Sequence, residues 1–152
     1  MRLSSSAFTD GGRIPRRFTC DGENFSPPLA WNDPPAGTRS FALLCDDPDA
    51  PSGTVHHWAL FDIPAKRLAL AEGEDRDATK DEFKRALNDF NRIGYGGPRP
   101  PHGHGPHRYR FKLFAVSLEH LPLGDSPSCR DVEREARNNA LAEAGFIGVY
   151  ER

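Results

Sequence analysis

Glycine and proline punctuate this chain too often for helices to organise it. From Ser4 to Asp33, Gly11, Gly12, Pro15, Gly22, Pro27 and Pro28 cut the sequence into short pieces, and from Gly94 to Tyr109 nine of sixteen residues are glycine or proline. A helix cannot propagate through that density of breakers. What survives between them is a set of short apolar runs: Leu29 to Trp31, Phe41 to Leu44, His57 to Ile63 ahead of Pro64, Tyr109 to Leu118, and Phe146 to Tyr150. Their lengths and β-branched or aromatic content predict strands, and Phe111, Leu113 and Ala115 alternate onto one face. Trp31 is assigned to the core, because aromatic side chains mostly bury area. With 152 residues, 37% of them hydrophobic, the chain is expected to form one mainly β domain spanning 1–152.

One helix is predicted. Ser128 precedes DVEREARNNALAEAG, where Val132, Ala136, Ala140 and Ala144 recur every four residues and Gly145 supplies the stop. A second, shorter helix is suggested by Thr79 and Glu82 at capping-box spacing ahead of Phe83, Leu87 and Phe90.

A formal charge of -2 gives no electrostatic footprint for nucleic acid. Three cysteines, Cys20, Cys45 and Cys129, show no C-x-x-C pairing, which speaks for reduced thiols and a cytoplasmic protein. No apolar run has the length of a signal peptide or a membrane span, so neither export nor membrane insertion is expected.

Chemistry is concentrated in two loops beside strands. The first follows Phe41 to Leu44 and holds Asp46, Asp47, Asp49, His56 and His57; the second ends with His102, His104, His107, Arg108 and Tyr109. Loops carry functional groups while strands fix their position. Three readings are open. Histidines and carboxylates could hold a transition metal, with His102, His104 and His107 closely spaced. An Asp/His pair could serve a hydrolase, although Ser52 lacks the strand-to-helix elbow and Cys45 sits in an apolar strand. Finally, glycine-rich backbone and histidines could form an anion pocket in which an aspartate orients an imidazole. Against all three stands an ordinary turn, for which Asp47, Pro48, Asp49 and Pro51 are common choices.

The run DPDAP at Asp47 to Pro51, His57-Trp58 opening a strand, GYGGPRPP at Gly94 to Pro101 and His107-Arg108-Tyr109 together resemble the phosphatidylethanolamine-binding protein family, in particular its prokaryotic Raf kinase inhibitor-like branch. The likeness runs from SPPLAW at Ser26 to the final strand. It implies a β-sandwich-like fold with mixed sheets, a C-terminal helix and a short last strand. It also implies a non-catalytic pocket for phosphate or phosphoethanolamine-type headgroups, without cofactor or metal. Carried over residue by residue, the ligand site comprises Asp47, Asp49, Pro51, His57, Gly97, Pro98, His107 and Tyr109, while His102 and His104 fall outside the motif as exposed loop residues. By the same resemblance the protein regulates a kinase or protease and forms homodimers; a hydrolase in the same pocket is the alternative. Only Ser52 to Val55 separate DPDAP from the histidine pair, a shorter insert than in eukaryotic members, and their C-terminal extension is expected to be missing.

Overall fold

A computed structural model of the chain describes residues 1–76 and 82–152. Among the described residues, eight strands and one α-helix form in the order β1 (Arg2–Ser4), β2 (Leu29–Asn32), β3 (Ser40–Asp47), β4 (Val55–Pro64), β5 (Ala69–Leu70), β6 (Lys84–Arg85), β7 (His107–Val116), α1 (Cys129–Asn138) and β8 (Ala140–Tyr150). They make a three-stranded sheet, β1-β2-β5, and a five-stranded sheet, β6-β4-β3-β7-β8. Pairing between named strands is antiparallel in both, where mixed sheets were expected; parallel contacts among the described residues are isolated bridges such as Arg13 to Val149. Among the described residues no helix is long and apolar enough to cross a membrane.

The five-stranded sheet is covered on both faces, which explains why its central strand reads as a continuous apolar run. Every residue of β3 is buried. Phe41, Leu43 and Cys45 point toward the small sheet, packing with Trp31, Leu3, Leu70, Phe111 and Leu113. Ala42 and Leu44 point the other way and meet Val132 and Ala136 of α1 together with Phe114. Period-two alternation therefore gives one strand two cores. Trp31 is 4% exposed, as assigned.

The helix is shorter than its periodicity predicts. Ser128 caps it, its hydroxyl accepting from the Asp131 amide at 3.1 Å while the Asp131 carboxylate accepts from the Ser128 amide. Such a cap contributes about 1 kcal/mol. The helix then stops at Asn138-Asn139, and the alanine-rich stretch that continues the four-residue spacing is strand: β8 pairs with β7 from Val116-Ala140 to His107-Tyr150. Continuing the helix would leave that edge of β7 without hydrogen-bond partners, and two asparagines supply the break. Gly145 is thus not a helix stop; a Cβ there would sit 2.9 Å from the Phe111 carbonyl, across the ladder. The expected short last strand is the second half of this 11-residue one. The helix start read at Thr79 lies outside the described residues, and from Glu82 the chain makes a turn and then β6, with no helical residue through Phe90.

Candidate functional site

Two adjacent histidines reach opposite faces of the sheet because of a bulge. Cys45 pairs with Trp58 and Asp46 with His56, so His57 is the extra residue on β4. A bulge puts two residues of one strand against one of its partner and re-aims a side chain. His56 therefore joins Asp46 on the helix face, while His57 and Trp58 both face the core side. Strand β3 also runs further than its apolar segment, to Asp47, so Asp46 and Asp47 are strand residues that alternation sends to opposite faces.

On the core side, His107 and Asp47 form the centre. His107 Nδ1 lies 2.7 Å from Asp47 Oδ2, with the side chains 2% and 5% exposed. A carboxylate can only accept, so the proton sits on Nδ1 and Nε2 is left to other partners. That second nitrogen meets His104 Nδ1 at 2.6 Å. His57 donates from Nδ1 to the Gly96 carbonyl at 2.6 Å, and its ring stands edge-on to Tyr109 at 5.3 Å and to Phe90 at 5.0 Å. Burial lowers the His57 pKa, the Gly96 carbonyl opposing this, so the imidazole is neutral at pH 7 and its lone pair lies on Nε2.

Tyr109 is fully buried and its hydroxyl has no hydrogen-bond partner. Burial, reinforced by the Asp47 charge, pushes the phenol far up, so it remains a proton donor; the Arg99 amide faces it and opposes the shift without completing a hydrogen bond. An orphaned buried hydroxyl costs about 1–3 kcal/mol and calls for an explanation.

The remaining expected residues divide between shaping and exposure. Asp49 takes three hydrogen bonds from Arg108, one from the amide and two from the guanidinium, and these hold its carboxyl down at about 2. It locks the turn after β3 onto β7. The Asp49 amide in turn donates to Asp47 Oδ1 at 2.8 Å. Pro51 is exposed on the turn. Gly97 donates to Asn24 Oδ1 at 2.9 Å, and a Cβ there would collide with the Asn24 side chain and, at 2.5 Å, the Phe18 carbonyl, so only glycine fits. The Pro98 carbonyl accepts from the Cys20 amide at 3.1 Å. A cavity of about 310 Å³ adjoins this loop, walled in part by Gly96, Gly97, Phe90, Arg92 and Arg99. The buried trio lies behind that wall, through His57 and Phe90.

The helix face carries a second polar cluster that the sequence reading did not assemble. Lys112 Nζ bridges Asp46 at 2.8 Å and Glu133 at 2.9 Å, and Arg110 Nε reaches Asp46 at 2.7 Å. Burial pushes the Asp46 carboxyl up, but hydrogen bonds from Arg110 and Lys112 outweigh it and leave the pKa below the ordinary range. Asp46, His56 and Glu133 bring potential metal-ligating atoms within 4.8 Å of one another. An ammonium group already bridges the two carboxylates, so the cluster reads as an ion-pair lock between β3, β7 and α1. Among the described residues, His102, His104 and His107 form no such group of ligands. His104 is exposed as expected, but its contact with His107 makes it part of the site, which sequence spacing did not reveal.

Residues 4–151 match the family model for phosphatidylethanolamine-binding protein. A UPF0098 protein of Aquifex aeolicus is 47% identical over all of this chain and 89% of its own length, and YbhB of Escherichia coli is 35% identical over 99% of each chain. The crystal structure of E. coli YbcL, described as a member of the mammalian PEBP family, superposes with a TM-score of 0.93 at 34% identity, covering 99% of this chain and 98% of that one.

Proposed function

The chain belongs to the phosphatidylethanolamine-binding protein family, and from that premise we propose that it is a non-catalytic receptor for phosphate or a phosphoryl group, seated against His107, Tyr109 and His57. The observation that carries this reading is the orphaned Tyr109 hydroxyl beside the Asp47-His107 pair. A buried donor without a partner, held protonated, is what an incoming oxyanion satisfies. Asp47 repels an anion directly, so its part is to fix the His107 ring through Nδ1 and to balance the charge of an imidazolium whose Nε2–H donates to the ligand once His104 gives way. A neutral His57 takes the hydrogen bond of a protonated phosphoryl oxygen. In this reading the phosphoryl group belongs to a partner or metabolite of a kinase or protease pathway in the cytoplasm, and the free thiols of Cys20, Cys45 and Cys129 favour a reducing compartment.

A hydrolase with a nucleophile of its own would need that group on the His107 Nε2 side, and the group there is the His104 imidazole. Cys129 has a thiol pushed up to about 12 by burial, and burial raises Cys45 well above the usual value, so neither supplies a thiolate.

Tyr109→Phe tests the proposal cleanly. It removes a hydroxyl that bonds to nothing in the free protein, so stability is expected to stay level or rise, while affinity for inorganic phosphate falls about 10- to 100-fold, the worth of one hydrogen bond to a charged group. Unchanged phosphate affinity in Tyr109→Phe and in His107→Ala, measured calorimetrically, overturns the assignment. Steady turnover of p-nitrophenyl phosphate by the pure protein would replace it with the hydrolase reading.

A further inference from the structure

What accompanies the phosphoryl group is suggested by the cavity beside the loop. Its volume, about 310 Å³, suits a small organic molecule. It touches the site through Gly96, whose carbonyl holds His57, and through Phe90, whose ring packs on His57 at 5.0 Å. Two arginines, Arg92 and Arg99, line it, and among the described residues no carboxylate does. Acids adjoining the lining are engaged elsewhere: Asp89, shortly before Arg92, accepts the His56 amide at 2.8 Å and lies 3.8 Å from Arg130, while Asp21, next to the cavity's Cys20, takes the Tyr150 hydroxyl at 2.6 Å and Arg152 at 3.4 Å.

The cavity's amides are likewise committed. Asn24 accepts from Gly97, and Asn88 accepts from the Phe90 and Arg92 amides while donating to the Gly94 carbonyl. They shape the loop, so the charge offered to a ligand is that of two guanidinium groups. Guanidinium forks fit carboxylates and phosphates and repel an ammonium.

We infer that the ligand is a small phosphomonoester bearing a second anionic group, a phosphocarboxylate or a bisphosphate, and that the cavity discriminates against a zwitterionic phosphoethanolamine headgroup. This rests on the reading of His107 and Tyr109 as the phosphoryl seat, with Arg92 and Arg99 receiving the second charge.

The test titrates the full chain with inorganic phosphate, 3-phosphoglycerate and O-phosphoethanolamine, in wild type, His107→Ala and the double variant Arg92→Gln/Arg99→Gln. Wild type is expected to bind phosphoglycerate on the order of tenfold tighter than phosphoethanolamine, and the double variant to lose that preference while keeping its affinity for phosphate. Equal affinities in wild type, or a preference that survives the double variant, overturns the inference and leaves the phosphoryl seat standing. Phosphoglycerate binding that survives His107→Ala but is lost in the double variant supports the arginine cavity and overturns the seat. No binding of any of the three overturns both.

Discussion

Replacing Asp47 by asparagine poses a problem that the site can solve in only one way. The Asp47 carboxylate accepts two hydrogen bonds, from the Asp49 amide at 2.8 Å and from His107 Nδ1 at 2.7 Å. Asparagine has one carbonyl oxygen and one NH₂ group. The Asp49 amide cannot become an acceptor, whereas the imidazole can, so the oxygen turns to Asp49 and the NH₂ to His107. His107 must then move its proton from Nδ1 to Nε2, and His104 Nδ1 must change from donor to acceptor. A charge-assisted hydrogen bond is exchanged for a neutral one, a loss of about 1.5 kcal/mol, which for a chain of this size lowers Tm by roughly 3–6 °C. Asp47→Ala leaves both donors without a partner in a site that is 5% exposed, and is expected to cost about 3–4 kcal/mol at 1–3 kcal/mol per orphaned group. Urea denaturation gives the energies, and long-range proton-nitrogen correlation spectra at pH 8 give the tautomer. Wild-type His107 carrying its proton on Nε2, or an Asp47→Ala cost below about 1 kcal/mol, refutes the reasoning.

The ion-pair lock on the helix face gives a second expectation. Lys112→Met keeps the stem but removes the ammonium that bridges Asp46 and Glu133, leaving Arg110 on Asp46 and Arg137 on Glu133, with Asp46 only 1% exposed; a destabilisation of about 2 kcal/mol in urea titrations at pH 7 is expected, and it shrinks as pH falls, because Asp46 loses one of the two hydrogen bonds that lower its pKa. A third concerns His57, whose pKa burial depresses in the folded state. Its unfolded form takes up a proton below about pH 6.5 while the folded form resists. Stability is therefore complete above that pH and falls as pH drops toward the folded value, by at most about 1.4 kcal/mol per unit for this one group. His57→Asn, which keeps a donor for the Gly96 carbonyl, should remove that part of the slope between pH 7.5 and 5.5; identical slopes in the two proteins contradict the assignment.

Much of the architecture was legible because its causes are local. Breaker density ruled out a helical fold, continuous apolar runs marked buried strands, and the capping serine marked the helix start. The misreading of Ala140 to Gly145 has a definite physical reason: alanine-rich spacing states a local preference, whereas the open edge of β7 imposes a nonlocal demand for hydrogen bonds, and the demand prevails. Site residues were recognisable as types in motifs, but not their division of labour. Asp49 resembles Asp47 in sequence, yet Arg108 consumes it, while His104, one glycine from an undistinguished loop histidine, completes the His107 chain.

What the sequence by itself determined, then, is the class of fold, the family and the set of polar groups available, since these follow from composition, short-range pattern and motif. Tertiary structure alone decided which face each group serves. A single extra residue in β4 sends His56 toward Asp46 and α1 and His57 toward Tyr109, and whether a bulge forms there depends on the register with β3, a pairing that no local run of residues specifies.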